Sequence, residues 1–259
     1  MGIRSKLNYY FNKILYPSTR VNRLPKKRPS KESIYYFINQ LGVHKPVGLT
    51  HNKNTGYHEL PFPSLRFPVS RRDLRLRLKR LEEIDIISKG YGLDVGCALG
   101  GMTFGLQLKG AKMVGIDRDL PSLNVAIECE KLFKTGASFE NLDFNSDSLK
   151  LLVQKYSNPI SSKFDFAIWF SSFNWVVNSL GEIKIKKLVK ELSESVDFLI
   201  ADSAIGGKGS SSLSDIGVID NQTFTKFILD NSNYRYCNKI GVDEKWYGRE
   251  IFIFSLNDY

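Results

Sequence analysis

The amino-acid sequence predicts an α/β fold: a doubly wound, mostly parallel seven-stranded sheet with helices on both faces. Three observations lead to this prediction. From residue 89 onward, short apolar runs typical of buried strands alternate with segments whose apolar residues recur at helical spacing. The first strand runs straight into a glycine-rich turn at residues 96–101, and the second strand ends in a carboxylate, Asp117. Residues 89–259 are therefore expected to form one α/β domain.

The first segment of the chain, residues 1–29, is predicted to be a basic N-terminal arm. Apolar and aromatic side chains recur at near-helical intervals among basic ones in residues 1–16, which indicates an amphipathic helix. Pro17 ends this helix, and a basic, proline-punctuated linker follows. The helix is suited either to an anionic membrane interface or to docking on its own domain or another subunit.

Residues 30–88 are predicted to be a second, basic extension with two helices, over residues 30–41 and 70–84. An irregular stretch rich in Gly, Pro, Asn and aromatic residues separates them. The second helix carries leucines on one face and arginines around the rest. Two interpretations remain open: the arginines bind phosphates, or they form a solvated face while the leucines pack on the sheet.

Basic residues are concentrated at the front of the chain. Residues 1–90 hold 19 Lys and Arg against 6 Asp and Glu, a net charge of +13, whereas the remaining residues hold 18 against 21, a net charge of −3. Such a basic appendage on a nearly neutral domain suggests RNA or an anionic membrane surface as a partner. A lysine-rich solvated surface that binds nothing is the alternative. The oligomeric state is not predicted.

Cysteine usage and hydropathy indicate a cytoplasmic protein that could associate peripherally with a membrane. Cys97, Cys129 and Cys237 are few, odd in number and far apart, which favours reduced thiols over disulfides or zinc. No run of about 18 apolar residues exists, so no membrane span is expected. Polar and basic residues interrupt the start of the chain, so no secretory signal is expected either.

The regular elements of the α/β domain follow in order along the chain. Strands are expected at residues 91–95, 113–117, 138–144, 164–170, 196–202, 234–242 and 250–256, and helices at 102–108, 120–132, 147–156, 181–195 and 221–230. A Gly- and Ser-rich stretch at 205–212 is expected to be a surface loop or a flap over substrate. It does not have the residue order of a phosphate-binding loop.

The glycine-rich turn after the first strand is the predicted cofactor site. Glycine allows positive φ and close approach of a ligand, and the helix that follows offers free amide groups and a partial positive charge. Asp117, about 20 residues on, can accept both hydroxyls of a ribose. The dinucleotide pattern is imperfect, however, because Ala98 stands where a second glycine is needed and Asp94 lies inside the first strand.

Three sequence features in this order carry a family resemblance. They are Asp-x-Gly-Cys-x-x-Gly at 94–100, Gly-Ile-Asp at 115–117 and Asn-Leu-Asp-Phe at 141–144. With them, residues 89–259 resemble the class I (Rossmann-like) S-adenosylmethionine-dependent methyltransferases. The resemblance implies S-adenosylmethionine as cofactor and an antiparallel last strand.

The resemblance also implies roles for individual residues. Gly96, Cys97 and Gly100 would line the methionine part of the cofactor, and Asp94 would lie near its ammonium group, directly or through water. Asp117 would bind the ribose, and Asp143 with Phe144 the adenine. The complete expected cofactor-binding set is Asp94, Gly96, Cys97, Ala98, Gly100, Asp117, Asp143, Phe144 and Phe170.

The segment before the first strand is a candidate lid, because in the resembled family this segment commonly folds over the cofactor. It contains all three histidines, His44, His51 and His58. We predict no metal there, since the histidines lie in a loop without fixed periodicity and without a nearby cysteine or carboxylate cluster. His51, Tyr57 and His58 are candidate bases or orienting groups, of which Tyr57 and His58 are the preferred pair.

The end of the fourth strand is the expected acceptor site, because ligands of open parallel sheets bind beyond the carboxyl ends of the strands. Ser171, Ser172 and Asn174 can hydrogen-bond to and position a nucleophile there, and we favour this role over proton abstraction. An aromatic residue, Phe173 or Trp175, could stack on a ring or cap the core. The predicted catalytic set is Tyr57, His58, Ser171 and Asn174.

These observations favour methyl transfer to an oxygen or nitrogen of a glycan, lipid-linked or other small-molecule acceptor. The acid or asparagine followed by two prolines and an aromatic, which enzymes that methylate base amino groups often carry, is absent from the fourth strand end. Two alternatives remain: an RNA methyltransferase that uses the basic N-terminal region, and a non-catalytic cofactor-binding subunit or RNA-binding module. An NAD-dependent oxidoreductase is disfavoured by Asp94 and Ala98.

Overall fold

The computed structural model describes residues 31, 60–65, 74–82, 84–203, 205, 211–243 and 249–258. The predicted helix over residues 1–16, most of the second extension and all three histidines therefore lie outside the described residues. Within the described residues, no helix combines the length and hydropathy needed to cross a membrane.

Among the described elements from β1 onward, one or two helices separate each strand from the next, except that β6 and β7 follow each other directly. The helices are α1 (Leu74–Glu82), α2 (Gly101–Gln107), α3 (Leu120–Phe133), α4 (Ser146–Tyr156), α5 (Phe173–Leu180), α6 (Glu182–Ser195), α7 (Ser211–Ser214) and α8 (Asn221–Asp230), with a 3₁₀ turn at Asp85–Ser88. The strands are β1 (Tyr91–Val95), β2 (Lys112–Asp117), β3 (Ser138–Asn141), β4 (Phe164–Trp169), β5 (Val196–Asp202), β6 (Tyr236–Asp243) and β7 (Arg249–Ser255).

The seven strands form one sheet in the order β3-β2-β1-β4-β5-β7-β6. The first five strands pair in parallel, and β7 runs antiparallel to both β5 and β6. The predicted α/β class, strand number and antiparallel last strand are thus confirmed. The strand order reverses between β1 and β4, and this topology opens a crevice at the carboxyl ends of the two strands.

Short polar side chains begin three of the helices. Asp119 accepts a hydrogen bond from the Ser122 backbone N–H at the start of α3. Asn145 and Asp220 form capping boxes at the starts of α4 and α8. Each cap satisfies a backbone donor that the first helical turn leaves without a partner, so these helices begin at fixed residues beside the strand ends.

Hydrophobic cores cover both faces of the sheet. Leu74, Leu78 and Leu81 of α1 pack with buried side chains of α2 and β4, so the predicted leucine face of this helix does lie on the sheet. The opposite face contains Trp169 of β4, packed with side chains of α4, α5, α6 and α8. A third cluster joins Leu60, Phe62 and Leu65 to α2 and α3, which shows that residues before position 89 contribute to the core.

Three regions differ from the predicted elements. Helix α7 begins at Ser211, inside the Gly- and Ser-rich stretch that was expected to be a loop. β3 ends at Asn141 rather than at residue 144, because the chain turns there to place Asn145 at the start of α4. Helix α5 occupies residues for which no regular element was predicted. Phe173 and Val177, four residues apart, are buried and hold one side of this helix against the core.

Candidate functional site

The turn after β1 is held in the conformation that the glycines predicted. Gly96 and Gly100 have φ angles of +76° and +80°, and Ala98 between them also lies in the left-handed region at +49°. The backbone N–H groups of Gly96 and Cys97 both donate to the Ile116 carbonyl of β2, each at 2.9 Å. The turn is therefore tied to β2 on one side and continues directly into the amino end of α2.

Glycine at position 96 also lets the end of β4 approach the turn. A Cβ atom on Gly96 would lie 2.6 Å from the Ser172 hydroxyl oxygen and 2.7 Å from the Ser172 Cβ, closer than side chains tolerate. The Ser172 hydroxyl in turn donates to the Val95 carbonyl at 2.9 Å. The residues before α5 and the glycine-rich turn thus form one continuous wall.

Asp117, at the end of β2, points a carboxylate at this turn. Its Oδ2 accepts a hydrogen bond from the Ala98 backbone N–H and its Oδ1 one from the Asp119 backbone N–H, both at 2.8 Å. Burial raises the pKa of Asp117, and the two backbone donors oppose that shift. Each carboxylate oxygen can accept more than one hydrogen bond, so this group can still bind two neighbouring hydroxyls.

Asp94 lies in β1 beneath the turn and is only 4% exposed. The Thr103 hydroxyl donates to its Oδ2 at 2.6 Å. Burial raises the pKa of Asp94 to about 6, a shift that the Thr103 hydrogen bond opposes and the nearby Asp117 carboxylate reinforces. A cation bound at the turn would favour the ionised form of Asp94.

Cys97 contributes an apolar surface to the turn. The residue is buried, and burial raises the pKa of its thiol well above the usual value. The neighbouring carboxylates of Asp94 and Asp117 act in the same direction. The thiol is therefore protonated near neutral pH, which suits a lining role and not a nucleophilic one.

The residues expected near adenine follow β3. Asp143 is exposed, whereas Phe144 is buried with its ring edge-on to Trp169, 5.2 Å between ring centroids. The Asn141 side-chain amide donates to the Asp117 carbonyl at 2.9 Å and so links the ends of β3 and β2. Asp143 and Phe144 thus come shortly after the end of β3, which is hydrogen-bonded to the backbone carbonyl of Asp117.

Phe170 occupies a different place from the rest of the predicted cofactor set. It is buried on the sheet face that α1 covers, and the Arg77 guanidinium lies 5.0 Å from its ring centroid. Its observed contacts join α1 to the end of β4. Its predicted contact with the cofactor stays a prediction.

The residues around the turn fit S-adenosylmethionine. The two carboxylates of Asp94 and Asp117 match an ammonium group and a pair of ribose hydroxyls. Phe144 is buried against Trp169, and its predicted contact with adenine stays a prediction. The donor set therefore agrees with the cofactor that the sequence resemblance implies.

A buried polar cluster at the ends of β4 and β5 was not foreseen as a whole. Ser171 has a φ angle of +58°, and Asp202, the last residue of β5, accepts both its backbone N–H at 2.7 Å and its hydroxyl at 3.0 Å. Arg77 lies 3.8 Å from the same carboxylate. The Asp202 carboxylate thus holds Ser171 in a backbone conformation that residues other than glycine seldom adopt.

Arg249, the first residue of β7, completes this cluster. Its Nη1 donates to the Ser171 hydroxyl at 3.0 Å and its Nε to the Ile205 carbonyl at 2.9 Å. The Ser171 hydroxyl therefore has both a donor and an acceptor, so it is fixed in place and agrees with positioning better than with proton abstraction. Asp202 and Arg249 could have been found from the sequence, as charged residues at the ends of otherwise apolar strands.

The remaining residues of the predicted acceptor site lie in α5. Phe173 is 1% exposed and packs edge-on to Trp169, whereas Trp175 is 44% exposed. Asn174 is buried, and its backbone carbonyl accepts a hydrogen bond from the Ser212 hydroxyl at 3.1 Å. Ser171 and Ser172 thus lie at the end of β4, whereas Asn174 is buried in α5.

The other predicted catalytic residues, Tyr57 and His58, lie outside the described residues, as does His51. Where residues are described, no group of three or more His, Cys, Asp or Glu side chains is arranged to hold a metal ion.

Comparison of the sequence with known proteins finds a curated protein that is similar over about half of this chain. No protein-family model matches the chain. The curated O-antigen chain terminator bifunctional methyltransferase/kinase WbdD of Escherichia coli is 30% identical over 141 residues, which are 52% of this chain and 19% of WbdD. The chain thus spans about a fifth of the length of the curated relatives it matches.

Solved structures agree with this match. A structure of WbdD aligns with a TM-score of 0.56 and 23% identity, over 72% of this chain and 40% of that chain. The magnesium protoporphyrin IX methyltransferase ChlM from Synechocystis PCC 6803, solved with bound S-adenosylmethionine, aligns with a TM-score of 0.50 and 13% identity, over 88% and 97% of the two chains. At these identities the structural alignments show a shared fold.

Proposed function

We propose that this chain is a class I (Rossmann-like) S-adenosylmethionine-dependent methyltransferase that transfers a methyl group to an oxygen or nitrogen of a glycan, lipid-linked or other small-molecule acceptor. The arrangement of Asp94, the glycine-rich turn and Asp117 at the reversal of strand order carries the proposal. The similarity to a protein named as an O-antigen chain terminator supports a glycan-related acceptor.

The residues of the turn bind and orient the cofactor. Asp117 accepts the ribose hydroxyls while its bond from Ala98 holds the turn against β2. Asp94 would supply negative charge for the ammonium group, and Gly96 keeps the turn close to Ser172 at the end of β4. When bound, S-adenosylmethionine supplies a methyl group on a positively charged sulfur, which is already electrophilic.

The acceptor is positioned by the end of β4 and the start of α5. Ser171 is fixed by Asp202 and Arg249, and Ser172 is fixed by Val95, so this wall is preorganised on strand ends. Because the methyl group needs no further activation, alignment and exclusion of water can supply most of the rate enhancement.

Calorimetry with S-adenosylhomocysteine tests cofactor binding. We expect the wild-type protein to bind, and we expect Asp117→Ala to bind about tenfold or more weakly, because the ribose loses its acceptor. Asp147→Ala, an exposed residue in the first turn of α4, is the matched control and is expected to bind like the wild type. No detectable binding by folded wild-type protein at about 1 mM ligand would contradict the proposal.

The net charge of +13 in residues 1–90 supports one alternative acceptor, RNA. In that case the same cofactor site would serve an RNA methyltransferase. The charge is equally compatible with an anionic membrane surface that presents a lipid-linked acceptor. A cofactor-binding subunit without catalysis is the remaining alternative, and labelled methyl transfer to any acceptor in a cell extract would exclude it.

A further inference from the structure

Trp175 is a large aromatic side chain exposed at the functional edge of the sheet. It follows Phe173 and Asn174, both of which are buried, yet 44% of its own surface is exposed. The sequence left open whether Phe173 or Trp175 could stack on a ring. The structure distinguishes the two residues. The Phe173 side chain is buried in the core, whereas the Trp175 side chain is exposed to solvent.

The position of Trp175 relates it to the cofactor turn. Helix α5 begins directly after Ser172, whose side chain packs against Gly96 and donates to the Val95 carbonyl. Trp175 therefore lies in the first turn of a helix that is fixed against the turn. It stands on the β4 side of the turn, at the edge where an acceptor must reach the methyl group.

Arg118 reaches Trp175 from the other side of the turn. It follows Asp117 at the end of β2, and its guanidinium carbon lies 5.8 Å from the Trp175 ring centroid. Since β1 lies between β2 and β4, the Arg118–Trp175 contact spans the strand that carries the glycine-rich turn. This cation–π contact orients the indole, and a ligand ring would stack on the face that the guanidinium does not cover.

This pair matches the chemistry of a sugar ring. One face of a pyranose consists of C–H groups and packs on an aromatic ring, while the hydroxyls at its rim accept hydrogen bonds. The indole of Trp175 supplies the apolar surface, and the guanidinium of Arg118 supplies several donors beside it.

We propose that Trp175, together with Arg118, is the stacking platform for a pyranose ring of the acceptor and so determines acceptor specificity. This inference rests on the proposed glycan-related function. A nucleobase could also stack on an exposed indole, so the test must separate the two ligands.

Saturation-transfer NMR with simple sugars tests the platform directly. The probes are the methyl α-pyranosides of glucose, galactose and mannose, with uridine as the nucleoside comparison, each added to the S-adenosylhomocysteine complex of the full chain. We expect transfer to the ring C–H protons of at least one glycoside in the wild type. Trp175→Ala should reduce this transfer about fivefold or more, and Trp175→Phe should restore most of it.

The controls separate stacking from folding and from cofactor binding. Ile183→Ala removes another exposed apolar side chain, 85% exposed at the start of α6, and is expected to leave the transfer unchanged. Calorimetry should give Trp175→Ala the same affinity for S-adenosylhomocysteine as the wild type. If S-adenosylhomocysteine binds neither the wild type nor Trp175→Ala, the proposed function fails. The glycoside signals of the two proteins without S-adenosylhomocysteine then test the platform by itself.

Three results would overturn the inference. One is the absence of transfer to all three glycosides in folded wild-type protein. Another is transfer that is equal in the wild type and Trp175→Ala, which would place the sugar elsewhere. The third is transfer to uridine that depends on Trp175 without any to the glycosides, which would assign the platform to RNA.

Discussion

Asp94 is a carboxylate placed where burial disfavours its charge. It is 4% exposed, it has one hydroxyl donor, Thr103, and Asp117 lies close enough to raise its pKa further. Ionised Asp94 lowers the stability of the folded protein in this position. Its presence is therefore explained by ligand binding and not by folding. The proposed cofactor is such a ligand, since an ammonium group would compensate the buried charge.

The pH dependence of stability tests this assignment at the level of one residue. Because the folded-state pKa of Asp94 is about 6 and its ordinary value is 3.8, the folded protein holds this proton more tightly than the unfolded chain. The Asp94 contribution to stability therefore falls as pH rises from about 3.8 to about 6 and is level above that. We expect Asp94→Asn to gain roughly 2–3 kcal/mol relative to the wild type between pH 4 and pH 7.

Urea unfolding at pH 4, 5, 6 and 7 measures this difference. Asp215→Asn, an exposed substitution after α7, is the control and should keep a nearly constant offset from the wild type. A pH-independent difference between wild type and Asp94→Asn would show that Asp94 does not titrate in this range.

In the same range, affinity of the wild type for S-adenosylhomocysteine should rise with pH, because only ionised Asp94 attracts the ammonium group.

At the scale of elements, three strand ends are joined by one buried network. Asp202 ends β5, Arg249 begins β7, and Ser171 follows β4 in a left-handed conformation. Because β7 is antiparallel, its first residue lies at the same edge as the carboxyl ends of β4 and β5. The reversed last strand thus delivers an arginine to the acceptor side of the sheet.

A double-mutant cycle tests whether Asp202 and Ser171 act together. Asp202→Asn removes the charge of the group that accepts two hydrogen bonds from Ser171 and that lies beside Arg77. We expect this substitution to lower the free energy of unfolding by about 3–5 kcal/mol. Ser171→Ala removes only the hydroxyl and should cost about 1 kcal/mol. We expect the pair to show a coupling energy of about 1 kcal/mol or more by urea unfolding.

The control cycle combines Ser171→Ala with Asp215→Asn, which lies outside this network and should be additive. Additivity of the Ser171 and Asp202 substitutions as well would mean that the hydrogen bonds between them contribute no net free energy. The positioning role of Asp202 would then have no energetic basis.

Elements with a strong periodic pattern were predicted well, and a short element with a mixed pattern was not. β5 and α8 have the predicted bounds, since a continuous apolar run and a capped amphipathic segment leave little ambiguity. Helix α5 was missed because Ser, Asn and Trp residues follow β4, and only tertiary packing of Phe173 and Val177 decides in favour of a helix. The sequence therefore named Phe173 and Trp175 as aromatic residues that could stack on a ring or cap the core, but it did not distinguish between them.

For the whole molecule, the sequence predicted the sheet and the cofactor turn because both depend on local patterns. The strand count and the Asp94 and Asp117 positions agree with the structure, as does the antiparallel last strand, which the family resemblance implied and no local pattern showed. The network of Ser171, Asp202 and Arg249 depends on contacts between residues up to 78 positions apart, which a linear pattern does not encode. Acceptor recognition is thus the part of function that the sequence specifies least directly.

The uneven charge of the chain leads to the last prediction. Residues 1–90 carry +13 and the rest −3, so an anionic partner would be attracted to the front of the chain. We expect the protein to float with phosphatidylcholine vesicles that contain phosphatidylglycerol, and not with phosphatidylcholine alone. Each basic residue near such a surface contributes about 1 kcal/mol, and the predicted amphipathic helix adds apolar contact.

Deletion of residues 1–16 separates the membrane interpretation from the RNA interpretation. Loss of flotation in the shortened protein, with unchanged binding of S-adenosylhomocysteine, would support a lipid-presented acceptor. RNA binding that weakens steeply between 50 and 200 mM salt, without flotation, would instead favour the RNA alternative, because phosphate contacts release counterions. Binding to neither surface would show that the basic residues are solvated, and acceptor choice would then depend on the strand ends and Trp175 alone.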